Sequence, residues 1–323
     1  MARNPGKVSF HDLLPRAAGM RAEISAGLSR PQKEIPPKYF YDKRGCALFD
    51  AICRLEEYYP TRAELAIMRA HSRAIARLLG PGCALIEVGC GNSEKTRLLL
   101  AALKPKAFVP IDIAREQLMT SCEALAPAFP RMAIIALRAD FARPIALPGA
   151  ALRGARRRVL YFPGSTIGNF TPGEARDFLA RWARQLGKNG GALIGVDLKK
   201  DSAVLDAAYN DARGVTAEFN LNVLRHINRR LGADFDSAVF RHRAFYDAAD
   251  GRIEMHLESL KTQRVTIGGR AFEFARGETI HTENSYKYTV GEFQDLARTS
   301  GFEPRQFWTD DDGLFSLHYL AVA

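Results

Sequence analysis

Between residues 84 and 197, short apolar runs alternate with longer stretches in which apolar side chains recur every three or four positions. The runs 84–88, 107–113, 133–139, 158–162 and 192–197 predict strands, and the periodic stretches 95–103, 114–126 and 172–186 predict helices. Strands alternating with helices imply a parallel, doubly wound sheet of the α/β class. Beyond Asp197 the pattern changes. Residues 199–232 read as mostly helical, with Val204, Leu205, Ala208, Leu221, Leu224, Ile227 and Leu231 as apolar positions. The stretches 238–247, 252–266 and 271–274 then read as antiparallel strands, with turns at Asp250-Gly251 and Gly268-Gly269. A helix over 290–300 and strands over 303–309 and 314–322 return to the first pattern.

The chain before residue 84 is less regular. Residues 1–20 are mixed and expected to be a flexible segment, and 21–33 carry a weak helical pattern. Pro36-Pro37 forces an extended path. A helix with Leu48, Phe49, Ile52 and Leu55 on one face is expected to break at Pro60. Thr61, with Glu64 at capping-box spacing, is read as the cap of the next helix. There is no internal repeat or low-complexity linker. The expected organisation is a flexible 1–20, an α+β lobe from 21–62 plus 199–287 inserted into the main domain, and a doubly wound domain from 63–198 plus 288–323.

Composition narrows the class without naming the chemistry. The 323 residues, 47% of them hydrophobic, suffice for one large domain or two ordinary ones. No window approaches the ~18 apolar residues of a membrane span, and residues 1–14 lack an apolar signal core, so a cytoplasmic protein is expected. Cys46, Cys53, Cys83, Cys90 and Cys122 show no CxxC spacing and read as free thiols; the seven histidines show no ligand spacing, so no metal is expected. The net charge of +10 raises the question of nucleic acid. Its densest run, Arg153 with Arg156, Arg157 and Arg158, has no interleaved aromatics and reads as a solvated loop, so the expected partner is a small molecule, with no nucleic acid or membrane, and the protein is expected to be a monomer.

The chemistry concentrates first at Leu85-Ile86-Glu87-Val88-Gly89-Cys90-Gly91-Asn92-Ser93-Glu94-Lys95-Thr96-Arg97, a strand, tight turn and helix. A phosphate-binding P-loop needs glycine before the Lys-Thr pair, and a dinucleotide turn needs a third glycine, yet Glu94 fills both positions. A βα turn without a ligand remains open. The turn also resembles that of class I methyltransferases, where an acidic residue (Glu87) and two glycines (Gly89, Gly91) surround the methionine part of S-adenosylmethionine (SAM). Asp112, ending the second strand, then suits the ribose hydroxyls, or else caps a helix. Asp140 suits the adenine amino group and Phe141 the ring face, or they are a turn residue and a core residue. Lys95 reaches the SAM carboxylate or is solvated.

The second concentration is Phe162-Pro163-Gly164-Ser165-Thr166-Ile167-Gly168-Asn169-Phe170. Together with Phe40-Tyr41-Asp42, Glu57-Tyr58-Tyr59-Pro60-Thr61-Arg62, Ala208-Tyr209-Asn210-Asp211, Phe219-Asn220-Leu221-Asn222, Ile253-Glu254-Met255-His256-Leu257 and Thr282-Glu283-Asn284-Ser285-Tyr286-Lys287-Tyr288, it closely resembles one family. That family is the histidine-specific, SAM-dependent Nα-methyltransferases that make hercynine (Nα,Nα,Nα-trimethylhistidine) for ergothioneine biosynthesis, and the resemblance runs from about Pro36 to the C-terminus. It implies that Asn169, Tyr58 and Tyr209 bind the carboxylate and amine end of histidine. Glu283 and Ser285 take the imidazole, and Tyr41, Met255 and Gly164 complete the pocket.

On this reading Tyr41 and Asn169 stand nearest the chemistry, Tyr41 only as an orienting group. Glu283 accepts an imidazole N–H and Ser285 meets the other nitrogen. Being two apart on an extended segment, they are expected to face the same way. Gly164 and Gly168 are expected to leave room for the growing methylated amine. Taken singly, each tyrosine reads as a core aromatic, Met255 as core filler, Asn169 as a cap and Glu283 as a surface residue; their joint order reverses that. Two departures stand out: Cys90 where serine is common, and Asn284 where an apolar residue is frequent. The alternatives are an Nα-methyltransferase for another amino acid such as tryptophan, a basic RNA or protein methyltransferase, and a SAM-fold binding module.

Overall fold

The computed structural model describes residues 8–14, 18–91 and 94–323 and divides into two compact units. The first comprises 8–14, Pro60–Lys199 and Tyr286–Ala323. It is built on an eight-stranded sheet in the order Val8–Asp12, Ala133–Arg138, Ala107–Asp112, Ala84–Val88, Arg158–Phe162, Gly191–Asp197, Phe315–Val322, Phe302–Thr309. The first six strands are parallel and the last two antiparallel. This is the α/β, doubly wound sheet that the alternation of strands and helices predicts, closed by an antiparallel pair. Strand Gly191–Asp197 is buried at every position, as a parallel strand covered on both faces must be.

Alternation assigns each strand residue to one of two cores. Leu85, Phe108, Val159 and Leu193 pack with the helices Tyr59–Leu79, Glu94–Leu103 and Arg115–Leu125; Ile86, Val109, Leu160 and Ile194 pack with Pro172–Leu186 and Val290–Thr299. From Ala84–Val88 the chain steps outward through Ala107–Asp112 to Ala133–Arg138, then crosses to Arg158–Phe162 on the other side. Strand order therefore reverses beside Ala84–Val88, and the switch point puts a crevice outside the carboxyl ends of Ala84–Val88 and Arg158–Phe162. Both motif-bearing loops of this unit leave from those ends.

Three local expectations are corrected. Within the expected flexible segment, Val8–Asp12 forms an edge strand parallel to Ala133–Arg138, with Phe10 against the core and the Arg115 guanidinium 5.1 Å over its ring. Residues 1–7 and 15–17 lie outside the described residues, as do Asn92 and Ser93 of the glycine turn. Pro60 does not break the chain: it stands in the first turn of helix Tyr59–Leu79, where its missing N–H costs nothing. Thr61 and Glu64 consequently lie inside that helix and form no capping box there.

The second unit comprises 18–59 and Lys200–Ser285. Its four-stranded sheet runs Lys33–Glu34, Thr279–Tyr286, Arg252–Ser259, Phe240–Asp247, beside a separate hairpin of Gln263–Ile267 and Arg270–Phe274. The single strand expected over 252–266 is two, because Ser259 turns the chain: its hydroxyl donates to the Lys261 carbonyl at 2.8 Å and accepts from Gln263 Nε2 at 2.6 Å. Gly268 and Gly269, at φ +55° and +85°, supply the left-handed pair that a two-residue hairpin needs. Helices Ala18–Gly27, Lys43–Ile52, Ser202–Tyr209 and Val215–Leu231 complete the unit. No described helix is long and apolar enough to cross a membrane.

Candidate active site

In the first unit, Gly89 and Gly91 have φ +73° and +42°, and a Cβ on either would meet nothing within 4 Å. The turn needs glycine for its backbone and leaves open space beside it. Glu87, only 1% exposed, accepts the Thr96 hydroxyl on Oε1 at 2.6 Å, while Oε2 is buried with no partner among the described residues. Burial pushes its pKa up to about 8; the Thr96 bond and the Lys95 charge pull it down, and Glu64 and Asp112 push it up again. An unpartnered carboxylate oxygen below an open glycine turn fits a cationic donor such as the ammonium of a methionine moiety. Asp112 accepts the Ala114 N–H on Oδ1 at 2.9 Å and the Cys90 thiol on Oδ2 at 3.8 Å. Its pKa is raised by burial and restrained by N–H groups of Ala114, Ile113, Gly91 and Cys90, which ties this carboxylate to the turn. Cys90 thus makes, more weakly, the hydrogen bond a serine would make.

Lys95 is not a solvated lysine. Its side chain is 16% exposed, and its ammonium pairs with the fully buried Glu64, whose Oε2 also accepts the Gly164 N–H at 2.9 Å. Asp140 accepts the Ala142 N–H at 3.1 Å and lies 3.6 Å from Arg143 Nε. Phe141 is partly buried and packs edge-on against Phe162 and Phe170, with centroids 5.8 and 6.3 Å away.

The loop after Phe162 is held in an uncommon conformation. Gly164 and Ser165 are consecutive left-handed residues at φ +73° and +58°, the second costing about 1 kcal/mol for a residue with a side chain. Three bonds hold them: Gly164 N–H to Glu64, Asp197 N–H to Ser165 Oγ at 2.9 Å, and the Thr166 hydroxyl to the Pro163 carbonyl at 2.9 Å. Gly168 does not provide room for a methylated amine. A Cβ there would stand 2.6 Å from the Tyr286 carbonyl oxygen, so its missing side chain admits a neighbouring backbone. At Gly164 the nearest atoms to such a Cβ are at 3.7 and 3.8 Å, Thr166 Oγ1 and Lys95 Nζ. Asn169 is not a cap, since Thr171 and Glu174 form a full capping box for Pro172–Leu186. Its half-buried amide has no protein partner among the described residues.

In the second unit an aromatic cluster gathers the remaining candidates. Phe49 meets Tyr41 and Tyr58 edge-on, with centroids 5.9 and 6.3 Å apart, and Tyr58 lies 6.4 Å from Tyr209. Tyr209 donates its hydroxyl to Ser285 Oγ at 2.8 Å. The Tyr58 phenol is held well above its usual range by burial first, then by Tyr209, Cys53, Glu283 and Tyr41, so Glu283 belongs to the same group. Burial along Thr279–Tyr286 alternates as far as Glu283 and then shifts, burying Ser285 in place of Asn284. Met255 is 1% exposed, and its carbonyl accepts the Thr282 hydroxyl at 3.0 Å.

Sequence reasoning assigned no role to the polar network behind these residues. Asn220, fully buried, donates to His242 Nδ1 at 2.9 Å and to the His256 carbonyl at 3.0 Å, and accepts the Thr282 hydroxyl at 2.8 Å. An amide donor on Nδ1 assigns the His242 proton to Nε2, which donates to the Tyr209 carbonyl at 2.9 Å. Burial lowers the His242 pKa and keeps the ring neutral, as that chain of bonds requires. The fold also brings together Glu254, His256 and His281, whose ligand-type atoms lie within 4.8 Å of one another despite lacking any ligand spacing in sequence. Arg252 already donates to Glu254 at 2.8 Å, and His256 Nε2 lies 2.7 Å from the other carboxylate oxygen.

Comparison with known proteins agrees with this geometry. The model of the family described as "histidine-specific methyltransferase, SAM-dependent" matches residues 20–322. The chain is 41% identical to the histidine N-alpha-methyltransferase of Mycobacterium tuberculosis, covering 98% of this chain and 99% of that one. It is 40% identical to the protein of the same name from Mycolicibacterium smegmatis, covering 95% of each. Ergothioneine biosynthesis protein 1 of Neurospora crassa is 31% identical over 94% of this chain, which spans 35% of that longer protein. A sheet with its switch point at an open glycine turn, buried carboxylates beneath that turn and a match over nearly the whole sequence lead to one conclusion: the chain belongs to the SAM-dependent, histidine-specific methyltransferase family.

Proposed function

We propose that this enzyme methylates the α-amino nitrogen of free L-histidine three times, giving hercynine for ergothioneine biosynthesis, with the first unit binding SAM and the second recognising the amino acid. Bound SAM supplies a methyl group already activated on a sulfonium. In the first unit Glu87 and the Gly89–Gly91 turn receive the methionine moiety, Lys95 its carboxylate, Asp112 the ribose hydroxyls, and Asp140 with Phe141 the adenine. Asn169, Tyr58 and Tyr209 take the carboxylate and amine end of histidine. Glu283 and Ser285 take the imidazole, with Tyr41 as an orienting group and Met255 and Gly164 as walls.

The observation that carries the assignment is the convergence of Tyr58, Tyr209 and Ser285 with Glu283, one carboxylate among neutral hydroxyls. Neutral donors orient a carboxylate and an amine without a permanent countercharge, and the lone Glu283 selects a ring that carries an N–H. No protein base is invoked, because the α-ammonium of the amino acid can give its proton to solvent before transfer. The remaining work is to align the amine and exclude water. An activated sulfonium calls on no metal, and a small-molecule substrate suits a monomeric cytoplasmic enzyme.

Mass spectrometry of histidine incubated with SAM and the protein tests the assignment through additions of one, two and three methyl groups. Calorimetric titration with S-adenosylhomocysteine present then compares histidine with tryptophan. Tighter binding of tryptophan overturns the choice of substrate.

A further inference from the structure

We infer that Glu64 is a positioning residue of the methyl-donor site, setting the Lys95 ammonium and the Gly164 amide from a single carboxylate. The inference rests on the SAM-binding reading of the first unit. Glu64 lies on helix Tyr59–Leu79, on the face that carries Ala63, Ile67 and Met68 into the core, and its exposure is 0%. An apolar residue would serve packing better, because an ion pair taken out of water loses much of its Coulombic gain to desolvation. The burial here is also incomplete in its bonding. Glu64 Oε2 accepts both Lys95 and Gly164, while Oε1 is buried with no partner among the described residues.

The surrounding chain accommodates this carboxylate. A Cβ at Gly195 would fall 2.8 Å from Glu64 Oε1 and 3.0 Å from the Phe315 ring, so a glycine in the middle of a core strand leaves space for it. The phenol of Tyr161, also buried without a partner among the described residues, is pushed well above its usual range by burial and then by Glu64 and Glu87. Such an arrangement is poor as a stabilising device and well suited to holding its partners still.

Both partners belong to the site. An ammonium has three donors, and Lys95 uses one on Glu64; the others have no protein partner among the described residues and remain for an anion. Lys95 Nζ lies 3.8 Å from the position a Gly164 Cβ would take, so the ammonium sits over the left-handed turn that leads to Asn169. One carboxylate thereby couples the group that meets the donor's carboxylate to the loop that carries Asn169.

The test is calorimetry of S-adenosylhomocysteine binding to the whole protein, with KM for SAM measured alongside. Glu64→Gln removes the charge at constant size, and Glu64→Asp keeps the charge but withdraws it from Lys95. Each is expected to weaken S-adenosylhomocysteine about tenfold, the scale of one charge-assisted hydrogen bond, and to raise KM for SAM in proportion. In a Lys95→Met background, Glu64→Gln is expected to change affinity by less than about twofold, since it acts through that lysine. Melting curves separate folding from binding; if Glu64→Gln does not fold, Glu64→Asp carries the same comparison. Unchanged affinity in the variants, or losses that add in the double mutant, overturn the inference. Because this binding needs no methyl acceptor, the result stands apart from the choice of histidine as substrate.

Discussion

Beneath the glycine turn of the first unit lie two buried carboxylates, Glu64 and Glu87, and the half-buried Asp112, with one ammonium, Lys95, paired to Glu64. In the second unit the bonds around Tyr209 are between neutral groups: the Tyr209 hydroxyl on Ser285, Asn220 on His242, and His242 on the Tyr209 carbonyl. The first arrangement places more carboxyl groups than cations out of water and leaves one oxygen of Glu87 with no partner among the described residues. The second holds Tyr209 between Ser285 and the His242 ring through neutral donors and acceptors. A site with surplus carboxylate favours a ligand of net positive charge, as a sulfonium amino acid is. A site of oriented hydroxyls with a single carboxylate selects by shape and hydrogen bonding instead.

That contrast is open to direct attack. The largest effect is expected for Asp112→Ala, which removes the carboxylate tied to the glycine turn. Turnover should fall about a thousandfold, with S-adenosylhomocysteine binding lost in calorimetry while the second unit stays folded. Binding retained within about tenfold would break the division of roles between the units. Glu283→Ala comes next, and should weaken histidine about a hundredfold while changing S-adenosylhomocysteine by less than about twofold. Equal losses for both ligands would show that Glu283 does not select the ring.

The smallest effect concerns pH. Because burial raises Glu87 from an ordinary 4.5 to about 8, its contribution to stability is full below the ordinary carboxylate range and is lost as pH rises through about 8. Glu87→Gln should flatten that loss, melting higher than the parent at pH 9 by the equivalent of about 2 kcal/mol, while binding SAM more weakly. A parent protein that gains stability between pH 6 and pH 9 relative to the glutamine variant would contradict the direction.

Much of the first unit is legible in sequence because its signals are local. A strand that ends at Val88, a glycine turn and a helix announce themselves through period and turn residues within a few positions. Asp112 and Asp140 stand out because strand ends are where a parallel sheet presents ligands. Glu64 was misread for the same local reason: three residues after Thr61 it imitates a capping box, and only the packing of its helix on Gly195 and Lys95 shows otherwise. Gly168 illustrates the converse, a glycine whose reason is a backbone more than a hundred residues later in the chain. The strand Val8–Asp12 is equally silent, since its partner lies 126 residues away and supplies the pairing.

What the amino-acid sequence determined alone is the alternation that makes the doubly wound sheet, the glycine turn at its switch point, and the ordered set of motifs that places the chain in its family. These depend on neighbours in the chain, where spacing and backbone preference act directly. The tertiary structure decided which buried carboxylate holds Lys95, which histidine proton fixes Tyr209, and where the alternation of Thr279–Tyr286 slips to bury Ser285. Those outcomes depend on desolvation and on hydrogen bonds between residues distant in sequence, and neither exists until the chain has folded.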